Sequence, residues 1–203
     1  MDLAARPTQQ ERSARTQQKL VEATIDALVE LGIARLTTTE VGKRAGTSQG
    51  SIFKHFPSKA ALISSAVAAL YDGLLDDYAA AVSALPADAN RVDACIDALW
   101  QLFQTPRLLA VYDLHISART DPTLRSIVEP MERAHRAKIR QLAAALFPNS
   151  STRPEFLQGI ELVINCAQGA AVGSMALHEP EIMSEMLTGL KAVARVMLGG
   201  ADA

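Results

Sequence analysis

The stretch LTTTEVGKRAGTSQGSIFKHFPSK, residues 36–59, decides the fold. Thr37 with Glu40 three residues later has the pattern of a capping box, so a helix is expected from Thr38. Val41 and Ala45, four apart, give that helix its buried side. Gly46 ends it, because glycine enters the left-handed conformation without steric cost. Ser48 then caps a second helix, Gln49 to about His55, whose inner face is expected to be Ile52, Phe53 and Phe56. Two short helices across a glycine-containing turn make a helix-turn-helix, and the second helix of such a pair enters the DNA major groove.

The outward residues of the second helix suit that use. Gln49, Gly50, Ser51 and Lys54 are small or polar and let the backbone approach a groove floor. A glutamine amide pairs with adenine through both ends, and a serine hydroxyl serves either kind of base. Thr38, Thr39, Lys43, Arg44, Thr47, Ser48, His55 and Lys59 flank them as candidate DNA contacts, chiefly to phosphate. Lys59 follows the cap Ser58 and sits in the first turn of the next helix, where the helix dipole disfavours a cation. A bound phosphate would offset that penalty; a merely solvated lysine is the other reading.

The pattern LTT-x-x-VGKRAG-T-S-x-G-S-I-F-x-HF-x-SK-x-x-L resembles the tetracycline-repressor (TetR) family of bacterial regulators. The resemblance is close from Thr16 to about Val67; beyond that only length and helical layout match. It implies a three-helix DNA-binding head at 1–58, with a flexible arm at 1–11, and a regulatory, ligand-binding and dimerising body at 59–203. It also implies a repressor that leaves a palindromic operator when a small-molecule inducer binds. Position 53 is often tyrosine in this family, with its hydroxyl on a phosphate. Phe53 cannot make that bond and is carried over as packing.

Composition agrees with an all-α chain. Of 203 residues, 49% are apolar, enough for a core, and alanine and leucine dominate over the 4% of aromatics. No stretch alternates with period two, so no strand is expected. The net charge of −2 divides into +3 over residues 1–60 and −5 over residues 61–203, a mildly basic head on an acidic body. Cys95 and Cys166 have neither metal nor redox spacing and read as buried small apolar residues in a reducing cytosol. The N-terminus lacks a signal-peptide core, and the weakly polar run 162–177 is too short to span a membrane. A cytoplasmic protein without membrane attachment, metal or cofactor is expected.

Nine helices or so follow from the periodicity. Helix 1 is expected from about Arg12 to Leu31, with Leu20, Ala23, Ala27, Leu28 and Leu31 buried and Gly32 as its stop. Arg6, Arg12 and Arg15 can reach DNA from the arm, although a loose solvated tail is the ordinary condition of a terminus. Helix 4, Lys59 to about Leu85, is apolar on two adjoining sides, one with Leu62, Ala66, Ala69 and Gly73, and is the expected link between head and body. Pro86 and the residues after it close it. Helix 5 covers about Val92–Gln104, and helix 6 begins at Thr105-Pro106, carries Leu109, Tyr112, Leu114, His115 and Ile116, and ends near Arg119. Helix 7 runs from Asp121-Pro122 to about Phe147 with Pro130 inside it.

Helices 8 and 9 are expected at about Pro154–His178 and Pro180–Leu198. The small residues Gly159, Ala167, Ala170 and Ser174 of helix 8 let another helix come close. Ile182, Met186, Leu190, Val193 and Met197 form a stripe on helix 9 at spacings of four, four, three and four. Together they suggest a four-helix, two-fold interface of a homodimer, against the alternative that the stripes are buried within one subunit.

An inducer cavity is implied by the resemblance, and Trp100, Phe103, Tyr112, His115, Met131, His135, Asn165, Gln168 and Met175 are its candidate lining. Asn165 and Gln168 sit three apart in an apolar helix, and a buried amide needs a partner: a ligand, or a hydrogen bond across the dimer. His115 and His135 have no third metal ligand at useful spacing. No phosphate loop or HExxH motif appears, so an enzyme is not expected. The functional alternative is an architectural or division-linked DNA-binding protein that takes no inducer.

Overall fold

The computed structural model describes residues 8–85, 90–177 and 179–198. Nine α-helices occur among the described residues, with no strand among them: α1 Gln9–Leu31, α2 Thr38–Ala45, α3 Gln49–His55, α4 Lys59–Ser83, α5 Arg91–Phe103, α6 Pro106–Ala118, α7 Pro122–Leu146, α8 Phe156–Ser174 and α9 Pro180–Leu198. Arg6, Pro86 and His178 lie outside the described residues.

Helix α1 starts earlier than the arm 1–11 allows. The Thr8 hydroxyl accepts from the Glu11 N–H at 3.2 Å, and the Glu11 carboxylate accepts from the Thr8 N–H at 2.6 Å. This is a complete capping box written as TQQE, so Gln9 begins the helix and Arg12 and Arg15 ride on it as exposed residues. Thr24, fully buried, donates its hydroxyl to the Leu20 carbonyl at 2.7 Å and so carries no unpaired group into the core. Helix α1 stops at Gly32, whose φ of 74° only glycine adopts without strain, and a 3-10 turn Ile33–Arg35 follows.

The chain divides into two compact units, with the divisions falling inside α4, α6 and α7. The first takes the described residues of Met1–Tyr71 and Asp113–Met131. In it α1 packs on α2 and α3, and α2 on α3. Leu20, Leu28, Leu36, Val41, Ile52 and Leu62 are fully buried there.

The second unit takes the described residues of Asp72–Tyr112 and Glu132–Ala203. Helices α5, α8 and α9 pack on one another around Val92, Ile96, Phe147, Phe156, Ile160, Val163, Leu190, Ala194 and Leu198. Helix α8 is shorter than its expected span, about Pro154–His178, because Pro154 and Glu155 form a turn ahead of it and the helix gives way to a turn after Ser174.

Several burial expectations are corrected. Ala69 and Ile116 are exposed, and so is Cys166, while Cys95 is buried and its thiol is pushed up to about 11 by desolvation. Cys166 misses the core because the inner line of α8 is Phe156, Gly159, Ile160, Val163, Ala167 and Ala171, and position 166 falls beside that line.

Candidate nucleic-acid interface

The α2–α3 corner is fixed by local chemistry. The Thr37 hydroxyl accepts from the Glu40 N–H at 3.1 Å and starts α2. The expected return bond of a capping box gives way to an ion pair, because the Glu40 carboxylate accepts from Arg44 at 2.8 Å. Gly46 closes α2 in the left-handed region, φ 64° and ψ 37°. The Thr47 N–H then donates to the Gly42 carbonyl at 2.8 Å, and a Cβ on Gly42 would stand 2.8 Å from the Thr47 carbonyl oxygen. Only a residue without a side chain lets the turn fold back this closely. The Ser48 hydroxyl caps α3 by accepting from the Ser51 N–H at 3.2 Å.

Helix α3 spends Ile52 and Phe56 on the core and turns Gln49, Gly50 and Lys54 outward. Phe53 turns outward with them, 49% exposed, which corrects its assignment to the inner face. Phe53 stands about 100° round the helix from the buried Ile52 and so falls to its side, whereas the buried Phe56 is the extended residue that caps α3.

Gln49 is held rather than loose. Its amide nitrogen donates to the Thr38 hydroxyl at 3.1 Å and to the Thr39 hydroxyl at 2.6 Å, tying the first turn of α3 to the first turn of α2. Thr39, Lys43, Ser48 and Lys59 are exposed, while Thr38, Thr47, Ser51 and His55 are half-buried. Lys59 is the first residue of α4, directly after Ser58, whose hydroxyl accepts from the Ala61 N–H at 3.1 Å. Arg44 does not present an unengaged guanidinium. It bridges Glu30 of α1 and Glu40 of α2, each at 2.8 Å, and this pairing lowers the Glu30 carboxyl below its usual range. The sequence hid this bridge because Glu30 and Arg44 meet only once α1 folds across α2.

One further contact of this unit was not legible. The Asp113 carboxylate of α6 accepts from the Ile33 N–H at 2.9 Å, at the corner where α1 ends. A Cβ on Gly32 would lie 2.9 Å from the same carboxylate oxygen. In the same unit His115 shares a 2.9 Å hydrogen bond with the buried Tyr71 hydroxyl, and Met131 is half-buried.

The second unit gathers the other candidate ligand residues unevenly. Tyr112 is 4% exposed, and its hydroxyl finds no partner among the described residues. Tyr78 lies buried with its ring 5.9 Å from that of His135. Burial first, and the nearby Glu132 carboxylate in addition, raise both tyrosines well above their ordinary range, so both stay neutral donors. Glu132 pairs with Arg136 at 2.7 Å, and Arg136 pairs with Glu161 at 2.7 Å. Arg140 holds the Glu161 carboxyl low, with Arg136 adding to the effect. Phe103 is buried, and Trp100 and Gln168 are half-buried. Asn165 is exposed and donates to the Glu161 carbonyl one turn back, at 2.7 Å, so it is not the buried amide expected; Met175 is exposed as well.

The terminal helices split the expected dimer residues. Gly159, Ala167 and Leu190 are buried in the chain's own core, and a Cβ on Gly159 would lie 2.7 Å from Leu198 Cδ2 and 3.0 Å from Met197 Cβ. Met186 and Met197 pack partly against that core, and Ala170 and Ser174 are half-buried. Ile182 and Val193 point outward. The exposed apolar line of α8 is Leu162, Cys166, Gly169 and Gly173, and that of α9 is Ile182, Gly189, Val193 and Val196. The stripe chosen from spacing mixed two sides of α9, because a hydrophobic period locates a stripe without saying which partner covers it.

Among the described residues no group of three metal-binding side chains occurs, and no helix is long and apolar enough to cross a membrane. A family model described as "Bacterial regulatory proteins, tetR family" matches residues 20–66, the span of the corner just described. An uncharacterised HTH-type transcriptional regulator of Mycobacterium tuberculosis is 30% identical over 188 residues, covering 92% of this chain and 96% of that one. A transcriptional regulator from Rhodococcus sp. Rha1 is 25% identical with a TM-score of 0.65, over 91% of this chain and 98% of its own. The multidrug binding protein EbrR, solved in complex with imidazole, has the same fold, with a TM-score of 0.66 at 19% identity over 94% of this chain and 97% of its own. With its capped α2–α3 corner and a relative matched nearly end to end, the chain belongs to the tetR family of bacterial regulatory proteins and is a helix-turn-helix transcriptional regulator.

Proposed function

We propose that the protein is a homodimeric repressor that binds a palindromic DNA operator through α3 and leaves it when a small molecule binds its body. Residues 1–58 form the reading head and 59–203 the regulatory and dimerising part in this proposal. The observation that carries it is the outward face of α3, where Gln49, Gly50 and Lys54 are presented by a corner held with three hydroxyl caps and a left-handed glycine.

In this reading Gln49 offers its amide oxygen to the exocyclic amine of adenine or cytosine, with Thr38 and Thr39 holding its nitrogen. A switch of that amide away from the threonines would give the two-bonded adenine contact. Thr39, Lys43, Thr47, Ser48, Ser51, Lys54, His55 and Lys59 contact phosphate and sugar around it. Arg44 holds α1 to α2 instead.

Two heads must stand about one helical turn apart, roughly 34 Å, to read both half-sites. The outward apolar lines of α8 and α9 are the surfaces that would bring two copies together. EbrR, similar in fold, holds imidazole, which supports a small-molecule role for the body. Tyr112 is the residue best suited to meet such a molecule, as a buried neutral donor. The next residue of α6, Asp113, holds the Ile33 amide at the end of α1. A ligand that displaces this part of α6 would act on the head through that bond, shifting the population away from the DNA-bound state.

Selection of bound DNA from a random library by the purified protein tests the reading. A few enriched palindromes are expected. Dispersed binding without an enriched site would favour an architectural role, and unchanged operator affinity with every ligand found to bind the body would remove the inducer from the scheme.

A further inference from the structure

We infer that Phe53 reads the methyl group of a thymine in the major groove. The inference rests on α3 being the groove-entering helix. Five phenylalanines occur in the chain. Four of them, Phe56, Phe103, Phe147 and Phe156, are buried, and Phe53 alone stands 49% exposed.

A single exposed apolar residue is ordinary on a protein surface. This one is placed where the surface has a use. Gln49 and Phe53, four apart on α3, lie on the same side of the helix, and Gly50 lies next to Phe53, about 60° further round the exposed side. A Cβ at Gly50 would meet only the Ser48 hydroxyl, at 3.9 Å, so the backbone is bare at that point and a base edge can come close. The ring and the amide therefore stand side by side, and the bare backbone of Gly50 opens next to the ring.

The chemistry of the ring selects its target. Phenylalanine has no hydroxyl and cannot bond a phosphate. Donor and acceptor groups fill the major-groove edges of the bases, and the apolar exception among the four bases is the C5 methyl of thymine. A half-exposed ring carried to the groove floor loses water only if an apolar group replaces it, and the thymine methyl is that group. Phe53 thus sets base preference by contact with a methyl, beside and independent of the hydrogen-bond reading by Gln49.

The experiment uses the full chain and the site enriched by selection. Each thymine is replaced singly by deoxyuracil, which removes the methyl and nothing else, and dissociation constants are measured for the wild type, Phe53→Ala and Phe53→Leu. One thymine per half-site is expected whose replacement weakens wild-type binding about fourfold, the effect of one buried methyl. The same replacement should leave Phe53→Ala binding unchanged and Phe53→Leu binding partly sensitive. Thermal melting of the variants separates this from loss of folding. An enriched site at which deoxyuracil is tolerated everywhere, or weakens Phe53→Ala as much as the wild type, overturns the role of Phe53 alone. A folded protein that enriches no site overturns the groove reading and this inference with it.

Discussion

The α2–α3 corner and the α8–α9 pair are built by opposite means. The corner is made of groups that act on near neighbours in the chain: Thr37 on Glu40, Ser48 on Ser51, Thr47 on Gly42, with Gly46 turning the backbone between. The terminal pair depends on surfaces that meet far from their positions in sequence, with Gly159 of α8 against Met197 and Leu198 of α9. Local hydrogen bonds announce themselves by residue type and spacing. Helix faces announce only that something must cover them.

The largest expected effect lies at the foot of the corner. Ile52→Ala removes a side chain 1% exposed and should cost about 2–5 kcal/mol, read by denaturant unfolding. If the head is as locally determined as its caps suggest, far-ultraviolet circular dichroism of the folded variant should still report α2 and α3. Broad loss of helix at low denaturant would mean that the caps do not hold the corner without its core.

Next comes the division of labour on the DNA side. Gln49→Ala should weaken binding to the selected site by about 1–3 kcal/mol and relax its sequence preference. Lys59→Ala should weaken binding to every sequence alike and lower the salt slope by about one ion. Identical profiles from binding titrations at several salt concentrations would erase the distinction between the two.

Two glycines of α8 sharpen the comparison directly. Gly159→Ala places a methyl within 3.0 Å of Met197 Cβ and should cost about 1–3 kcal/mol in unfolding. At Gly173 nothing lies within 4 Å of an added Cβ, so within one chain Gly173→Ala should be neutral or stabilise by up to about 1 kcal/mol through helix propensity. If the outward line of α8 meets a second copy, the same change should instead weaken dimerisation, as read by sedimentation at low concentration. A concentration-independent gain in stability would place that line on solvent.

The smallest effect is expected at the Glu30–Arg44 bridge. Arg44 lowers the folded carboxyl of Glu30 below its unfolded value, so the contribution is present above the ordinary carboxylate range and is lost as pH falls through it. Stability should therefore fall between roughly pH 5 and pH 3 slightly less steeply in Glu30→Gln than in the wild type. Superimposable pH profiles would mean that the exposed pair is silent.

The helical class, the order of helices and the caps of the head were legible, because each rests on a residue acting within a turn or two of itself. The same signal also stands at Thr8–Glu11, where TQQE forms a capping box and moves the start of α1 to Gln9. The candidate ligand residues were less legible. Tyr112 and His135 are both buried, the latter despite the charged run around it, while Asn165 sits on the outer side of α8 and bonds its own helix.

The sequence by itself determined that the chain is helical and that its head is a capped helix-turn-helix of the tetR kind, since hydroxyl caps, a left-handed glycine and helical periodicity work over a few residues. Tertiary structure alone decided that Arg44 is engaged by Glu30, that Asp113 holds the end of α1, and that Gly159 and Leu190 serve the chain's own core. Each of those outcomes is a choice among partners brought together by folding. A periodic pattern fixes the existence of a face, and only the packed chain fixes what the face touches.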